Sequence, residues 1–348
     1  MRILELYSGI GGMHYALKES GVDGEIVAAI DINPVANEVY HHNFPSDKIL
    51  NKNLESVTFD ELRTLNVEGI LMSPPCQPFT RLGLQRDKAD PRTCSFFQVL
   101  KIIKQLETLK VILLENVVGF EKSETRDSLI DAIEGKFNYK EFLLSPCQFG
   151  ILNTRRRYYL IARRKDLDFC FDDPSLVYSI PEECSHMLSP SRKSNPSRIE
   201  DILEDNAEET RENERQRYFL SEETVQKRLN VLDVRSPDST GSCCFTKAYF
   251  RYAEGTGSVY SPLAQDEVRD KINCIRNNGD PEERLELMRS LKLRYFTPRE
   301  VSRLMSFPED FSFPNSITDK QKYRLLGNSI NVHVVSLLIQ VLMSGINT

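Results

Sequence analysis

The sequence predicts an α/β chain with a doubly wound, mostly parallel sheet and a small inserted domain in its second half. Three observations predict it. Strand-like apolar runs alternate with helical runs through the first half, a glycine-rich turn follows the first run, and an apolar stretch from Ile330 to Met343 returns after a long segment of different character.

The elements follow in order. Arg2 to Tyr7 reads as a strand, then come a glycine turn and a helix through about Lys18. Glu25 to Asp31 is a second strand, and Asn33 before Pro34 opens a helix toward His42. Further strands are expected at Gly69–Met72, Val111–Glu115, Glu141–Ser145 and Tyr158–Ala162, with helices around 58–65, 94–107 and 124–135. Between about 184 and 217 the composition shifts to Ser, Pro, Asn and charge without hydrophobic periodicity, so poor order is expected there. The expected division is a catalytic and cofactor-binding unit over 1–180, an insertion over 181–292 and a returning segment over 293–348.

Composition bounds the function. The chain has 348 residues, 40% hydrophobic and 28% charged, ordinary for a globular enzyme and far from a disordered chain. No secretory leader and no membrane span are read, so no membrane partner is expected. The eight cysteines show neither a C-x-x-C pair nor zinc spacing; they are read as reduced thiols of an intracellular protein, and no metal is expected. The net charge of −6 argues against a protein that coats nucleic acid by bulk electrostatics. Yet residues 200–214 carry eight acidic side chains and one basic, a net of −7, so the remainder stands at +1.

Four motifs carry chemistry. Tyr7-Ser8-Gly9-Ile10-Gly11-Gly12 is a strand running into a glycine turn before a helix, where backbone amides can approach a ligand closely. Asp31 ends the next strand about 20 residues later, where nucleotide folds place a ribose-binding carboxylate. His14 stands where a dinucleotide fingerprint wants its third glycine, and a tight turn without a ligand stays open. Ser73-Pro74-Pro75-Cys76-Gln77-Pro78 fixes the backbone around one thiol at another strand end; the alternative is a small buried cysteine. Glu115 ends an apolar strand in Glu115-Asn116-Val117, as a functional carboxyl or as an ordinary strand-end cap. Arg155-Arg156-Arg157 begins a run of six basic residues ending at Lys165; alternation sends Arg155 and Arg157 to one face, toward the crevice or along a solvated edge. Jointly, a thiolate, a proton-carrying carboxyl and paired guanidiniums beside an adenosine-type pocket suit attack on an electron-poor ring. Carbon-5 of cytosine becomes nucleophilic only after a thiolate adds to C6, and an acid at N3 favours that addition.

These motifs, with Arg294-Tyr295-Phe296-Thr297-Pro298-Arg299-Glu300 and Gly327-Asn328-Ser329, resemble in order those of the S-adenosylmethionine-dependent cytosine-5 methyltransferases, along nearly the whole chain. Cys244-Phe245-Thr246-x-x-Tyr249 and Glu254-Gly255-Thr256-Gly257-Ser258 resemble the second animal DNA-methyltransferase type, regarded as acting on cytosine 38 in the anticodon loop of tRNA(Asp). The resemblance implies a Rossmann-like class I methyltransferase fold and S-adenosyl-L-methionine as cofactor, with S-adenosyl-L-homocysteine as product. It implies Cys76 as nucleophile, Glu115 at N3, and Arg155 and Arg157 around the flipped base. For the cofactor it implies Tyr7, Ser8, Gly9, Ile10, Gly11 and Gly12 near the methionine portion, Asp31 and Ile32 at the ribose, Leu54 and Glu55 near the adenine, and Ser73, Pro75, Asn328 and Ser329 closing the pocket. Asn153 departs from the glutamine that DNA-modifying relatives commonly carry before the arginines.

An unpaired loop base costs less to extrude than a duplex base, which favours RNA. Tyr249, Phe250, Arg251 and Tyr252 interleave aromatic and cationic side chains, suited either to stacking on splayed bases or to packing a small core. A DNA cytosine-5 methyltransferase, with weak DNA activity beside tRNA, stays open, as do an amino-group methyltransferase, a nicotinamide oxidoreductase and a catalytically silent nucleic-acid-binding module. A monomer in the cytoplasm is expected, with the nucleus as a second location.

Overall fold

A computed structural model of the protein describes residues 1–75, 93–172, 176–188, 196–204 and 216–346. Strands β1 (Arg2–Leu6), β2 (Glu25–Asp31), β3 (Ile49–Asn51), β4 (Gly69–Met72), β5 (Val111–Val117), β6 (Phe137–Leu144), β7 (Arg157–Arg164) and β8 (Leu176–Val177) form one sheet in the order β3-β2-β1-β4-β5-β7-β6-β8. Neighbours from β3 to β5 run parallel, whereas β7 is antiparallel to both β5 and β6. The strands that both faces cover are near-continuous apolar runs, as Val111 to Leu114 show with no exposure at all. Helices α1 (Gly12–Ser20), α2 (Pro34–Asn43), α3 (Phe59–Arg63), α4 (Cys94–Gln105) and α5 (Glu124–Ile133) supply that cover. Their starts carry the expected signals: Asn33 Oδ1 accepts from Val35 N ahead of Pro34, and Thr58 and Glu61 form a capping box.

The second half adds α6 (Glu222–Arg228), β9 (Val234–Arg235), β10 (Val259–Tyr260), α7 (Gln265–Asn277), α8 (Pro281–Ser290), β11 (Arg294–Tyr295), α9 (Pro298–Leu304), α10 (Asp319–Asn328) and α11 (Val332–Met343). The short strands make a separate sheet ordered β11-β10-β9. Every residue of α11 is buried; it packs on α1 and touches β5 and β7. At roughly 1.5–3 kcal/mol for each large apolar side chain withdrawn from water, this helix alone stabilises the return substantially. The stretch Asp319–Met343 is long and apolar enough by composition to cross a membrane, but 89% of its most apolar window is buried inside the fold.

The expectation of poor order over 184–217 fails where residues are described. A 3-10 turn at Glu182–Met187 buries Cys184, and another at Ile199–Ile202 buries both isoleucines, which sit three apart on one face. Asp201 holds that second turn by accepting from Ser197 N and Arg198 N. Isolated apolar residues with local carboxylate caps were enough, without any periodic run. Residues 189–195 and 205–215 lie outside the described residues. Glu200, Asp201 and Glu204 of the acidic stretch are therefore built into the fold, Glu204 accepting from the Thr297 hydroxyl.

Tyr249 and Phe250 also differ from a base-stacking surface. Tyr249 is buried, donates to Ser258 O at 2.6 Å and accepts from Phe296 N, and both rings sit in an aromatic cluster with Tyr295 and Tyr323. Phe250 takes a left-handed backbone (φ 72), which turns the chain and breaks the alternation the sequence suggests. Arg251 and Tyr252 are exposed, with the guanidinium 5.1 Å from the ring centroid.

Candidate active site

Strand order reverses between β1 and β4, so a crevice opens at their carboxyl ends, where open α/β sheets bind ligands. A cavity of about 280 Å³ lies there. It is lined by Tyr7, Ser8, Gly9 and Ile10 in the turn after β1, by Gly12 of α1, by Asp31 at the end of β2 and Ile32 just beyond it, and by Ser73 and Pro75 after β4. Glu115 of β5, Arg155, Arg157, and Asn328 and Ser329 at the end of α10 complete the predicted part of the lining. Because β7 runs antiparallel, its first residues stand beside the ends of the parallel strands; Val117 pairs with Arg157 in the ladder.

The turn is sharp. Tyr7, Gly9 and Gly11 all have positive φ (54, 54 and 84), and a Cβ on Gly12 would sit 2.8 Å from Ile330 Cγ1. The strained Tyr7 is held by a hydrogen bond between its hydroxyl and Ser95 Oγ (3.1 Å), and its carbonyl accepts from Ser73 Oγ (3.4 Å). Asn116 Nδ2 donates to Pro74 O at 3.3 Å, which ties the end of β5 to the proline loop. Asp31 accepts from Gly9 N at 2.9 Å and from Asn33 N at 2.8 Å; burial raises its pKa, and these amides oppose that. The carboxylate thus braces the turn as well as facing the cavity. Ile32 is 63% exposed at the mouth, and Ser8 Oγ is buried with no hydrogen-bond partner among the described residues.

The charged end of the cavity is a cluster. Glu115 is buried, and desolvation raises its pKa against the pull of Arg157 and Arg155; its Oε1 lies 3.4 Å from Arg157 Nε. Arg155 is also buried and donates to three carbonyls from distant segments: Phe245 (3.0 Å), Gly327 (3.1 Å) and Ser329. This guanidinium is chiefly a clamp. Gly327 permits the junction, since a Cβ there would stand 2.3 Å from Lys247 N. Arg156 points the other way, 5.5 Å from the exposed Tyr178 ring. Asn153, in place of the commoner glutamine, is buried and donates to Cys243 O at 2.9 Å and Ser242 Oγ at 3.2 Å, so it anchors the start of β7 to the insertion.

Some expected residues stand elsewhere. Cys76, with Gln77 and Pro78, lies outside the described residues. Gly11 is not in the lining; its Cβ position faces Phe44 and Tyr40. Leu54 and Glu55 are not in it either: Leu54 is buried in the core on one face of the sheet, and Glu55 is exposed. The 3-10 turn that carries them, Leu54–Ser56, packs against α4 and turns Leu54 inward. His14, at the position of a dinucleotide fingerprint's third glycine, stacks on Phe44 (3.8 Å between centroids), and burial lowers its pKa to about 3. It fills core beneath the turn and binds nothing in the cavity.

Met13, Asn33, Ala36, Pro74, Val117, Leu325, Gly327 and Ile330 also line the cavity, and most adjoin residues the motifs mark. Cys244 is a less visible participant. Its Sγ lies 3.5 Å from Arg155 Nη1 and 3.8 Å from Arg157 Nη2; burial pushes the thiol up, but the two guanidiniums outweigh it and leave the pKa below its ordinary value. Only tertiary packing brings this residue beside arginines some 90 positions earlier.

Residues 1–344 match the family model of the C-5 cytosine-specific DNA methylases. The tRNA (cytosine(38)-C(5))-methyltransferase of Spodoptera frugiperda is 45% identical over 344 residues, 98% of each chain. The Homo sapiens protein of the same name is 43% identical over 393 residues, covering 98% of this chain and 99% of that one. A crystal structure of a Spodoptera frugiperda DNMT2 mutant superposes with a TM-score of 0.85 at 45% identity over 99% of both chains. With the glycine turn, the proline loop, Glu115 and the arginine pair gathered at one set of strand ends, and the family match spanning nearly all of it, the chain belongs to the C-5 cytosine-specific DNA methylase family.

Proposed function

We propose that the protein methylates carbon-5 of cytosine 38 in the anticodon loop of tRNA(Asp), using S-adenosyl-L-methionine. The observation that carries this reading is the buried Glu115 carboxyl between two guanidiniums, in the same cavity as the glycine turn. The tRNA preference rests on likeness to full-length relatives named for that reaction.

The cavity suits the cofactor. Unpartnered Ser8 Oγ offers a polar contact, Ile32 an apolar one at the mouth, and the backbone at Gly9 and Gly12 allows close approach. Tyr7, Ile10 and Gly12 would hold its amino-acid end, Asp31 its ribose, and Ser73, Pro75, Asn328 and Ser329 would close over it. Bound there, it supplies an electrophilic methyl group.

The chain's own residues do the rest. Cys76 attacks C6 of the cytosine as thiolate, forming a carbon–sulfur bond. Glu115, whose pKa burial raises, gives its proton to N3, so the electron pair released by the addition reaches C5 as an enamine. After methyl transfer, loss of the C5 proton to a base expels the Cys76 thiolate, and N3 returns its proton to Glu115, which restores the ring and the acid. Arg157 holds the charge that develops on the base, and Arg155 fixes the walls around it. The expected result with Cys76→Ala is no methyl transfer to tRNA and unchanged S-adenosylmethionine affinity by calorimetry. Full activity in that variant would remove the covalent mechanism.

A further inference from the structure

Cys170 and Cys184 stand with their sulfurs 3.3 Å apart, and no other pair of described cysteines is joined by a hydrogen bond. We propose that this pair is an oxidation site, which hydrogen peroxide closes into a reversible disulfide that staples the edge strand β8 to the body of the fold. The inference goes beyond the proposed function and does not depend on it.

The two sulfurs are placed for different roles. Cys170 is exposed in an irregular stretch after β7, so an oxidant in solvent reaches it first. Cys184 is fully buried in the 3-10 turn at Glu182–Met187, with Cys170 as its hydrogen-bonding partner. Burial and that shared hydrogen push the Cys184 thiol up, which keeps it neutral until a partner is activated. A disulfide holds its sulfurs about 2.05 Å apart, so the remaining approach is a little over ~1 Å. Cys170, outside any helix or strand, makes that approach.

The Cys170 thiolate attacks one peroxide oxygen: a sulfur–oxygen bond forms, the oxygen–oxygen bond breaks, and the departing hydroxide takes a proton and leaves as water. Cys170 is then a sulfenic acid. The Cys184 sulfur attacks the Cys170 sulfur, a sulfur–sulfur bond replaces the sulfur–oxygen bond, and the hydroxide that leaves takes the Cys184 proton. The two sulfurs give up two electrons, and one peroxide becomes two waters.

The bond would hold an edge of the main sheet. Strand β8 lies between the two cysteines in the chain and pairs with β6 through Leu176 and Val177 alone. The turn that carries Cys184 packs on α11. Beside Cys170, the Phe169 ring lies 4.9 Å from the buried Arg163 guanidinium, which acts electrostatically on both sulfurs and donates to Leu342 O and Val341 O at the end of α11. Joining residues 14 positions apart closes a loop around β8, which restricts the unfolded chain more than the folded one.

Trypsin releases 166–192 as one peptide that contains both of these cysteines and no other. The test treats the reduced full chain with hydrogen peroxide, blocks the remaining thiols with N-ethylmaleimide in denaturant, and reads that peptide by mass spectrometry. The expected peptide is two hydrogens lighter and carries no maleimide; after dithiothreitol it takes two. Oxidation should raise the thermal midpoint by about 5 °C, and Cys170→Ser should remove both changes. In Cys184→Ser, Cys170 should stop at the sulfenic acid, which dimedone captures. Because Cys170 is exposed, its serine variant keeps the test open even if Cys184→Ser fails to fold. A peptide that keeps both thiols at a peroxide dose that oxidises other cysteines would overturn the proposal. So would a bond from Cys170 to a cysteine outside the peptide, an unchanged midpoint in the oxidised parent, or a midpoint shift that survives Cys170→Ser. None of these readouts needs an RNA substrate, so their failure is distinct from failure of the proposed function.

Discussion

Two buried carboxyls on the central sheet make the most informative contrast in the molecule. Glu5, in the middle of β1, is fully buried; burial raises its pKa to about 8, and its neighbours are neutral donors, the Tyr40 hydroxyl at 2.7 Å and the His14 amide. Glu115, near the end of β5, is buried too and its pKa is likewise raised, but it faces a cavity and two guanidiniums. Desolvation pushes a carboxyl toward its neutral form. What turns a neutral carboxyl into a proton donor for a ligand is its position at a strand end, with access to the crevice and cations that make the ionised state reachable. Glu5, sealed beneath the glycine turn, has neither.

The largest expected effect separates the two. Glu115→Gln keeps the shape and removes the acid, so methyl transfer should fall by about 10²–10⁴ with little change in melting temperature. The parent, which needs Glu115 protonated, should lose activity as pH climbs past its raised pKa, a limb the variant lacks. Glu5→Gln should leave kcat near the parent value. If both variants lose activity equally, the contrast is wrong.

Arg155→Ala comes next. It leaves one buried and two partly buried carbonyls from two distant segments without their donor, at a cost on the order of 3 kcal/mol, seen as a lower urea midpoint together with lost activity. Arg156→Ala, on the opposite side, should change stability by less than about 0.5 kcal/mol.

The smallest effect is a slope. Between pH 6.5 and about 8 Glu5 stays protonated in the folded chain and ionises in the unfolded one, so its contribution to stability is present at lower pH and declines as pH rises. Glu5→Gln should remove up to about 2 kcal/mol of that decline, at ~1.4 kcal/mol per pH unit. His14, held neutral with its pKa lowered to about 3, works the other way and only below its unfolded value near 6.5. Equal slopes for parent and variant over this window would mean that Glu5 is ionised in the fold.

The strand ends were the most legible part of the sequence. Glycine and proline announce sharp backbone turns by themselves, and near-continuous apolar runs announce a sheet covered on both faces. Hence β2 and β4 stand where the apolar runs place them, and the turn at Tyr7–Gly12 forms one wall of the cavity. The insertion was less legible because its strands are only two residues long and α7 and α8 are mostly charged, so neither gives a clear period. Tyr249 and Phe250 were ambiguous because a left-handed turn at Phe250, which alternation cannot anticipate, goes with Tyr249 buried in the core and Phe250 packed against it. Leu54 and Glu55 came from resemblance alone, and side-chain direction in a 3-10 turn is not written in a motif. Cys244 became visible only when chain segments some 90 residues apart met at Arg155.

The most direct measurement is bisulfite sequencing of tRNA and of duplex DNA after incubation with the protein and S-adenosylmethionine. One newly protected cytosine is expected, at position 38 in the anticodon loop of tRNA(Asp), absent with Cys76→Ala. Protection of duplex DNA at a comparable rate, or no protected cytosine in any tRNA, would contradict it.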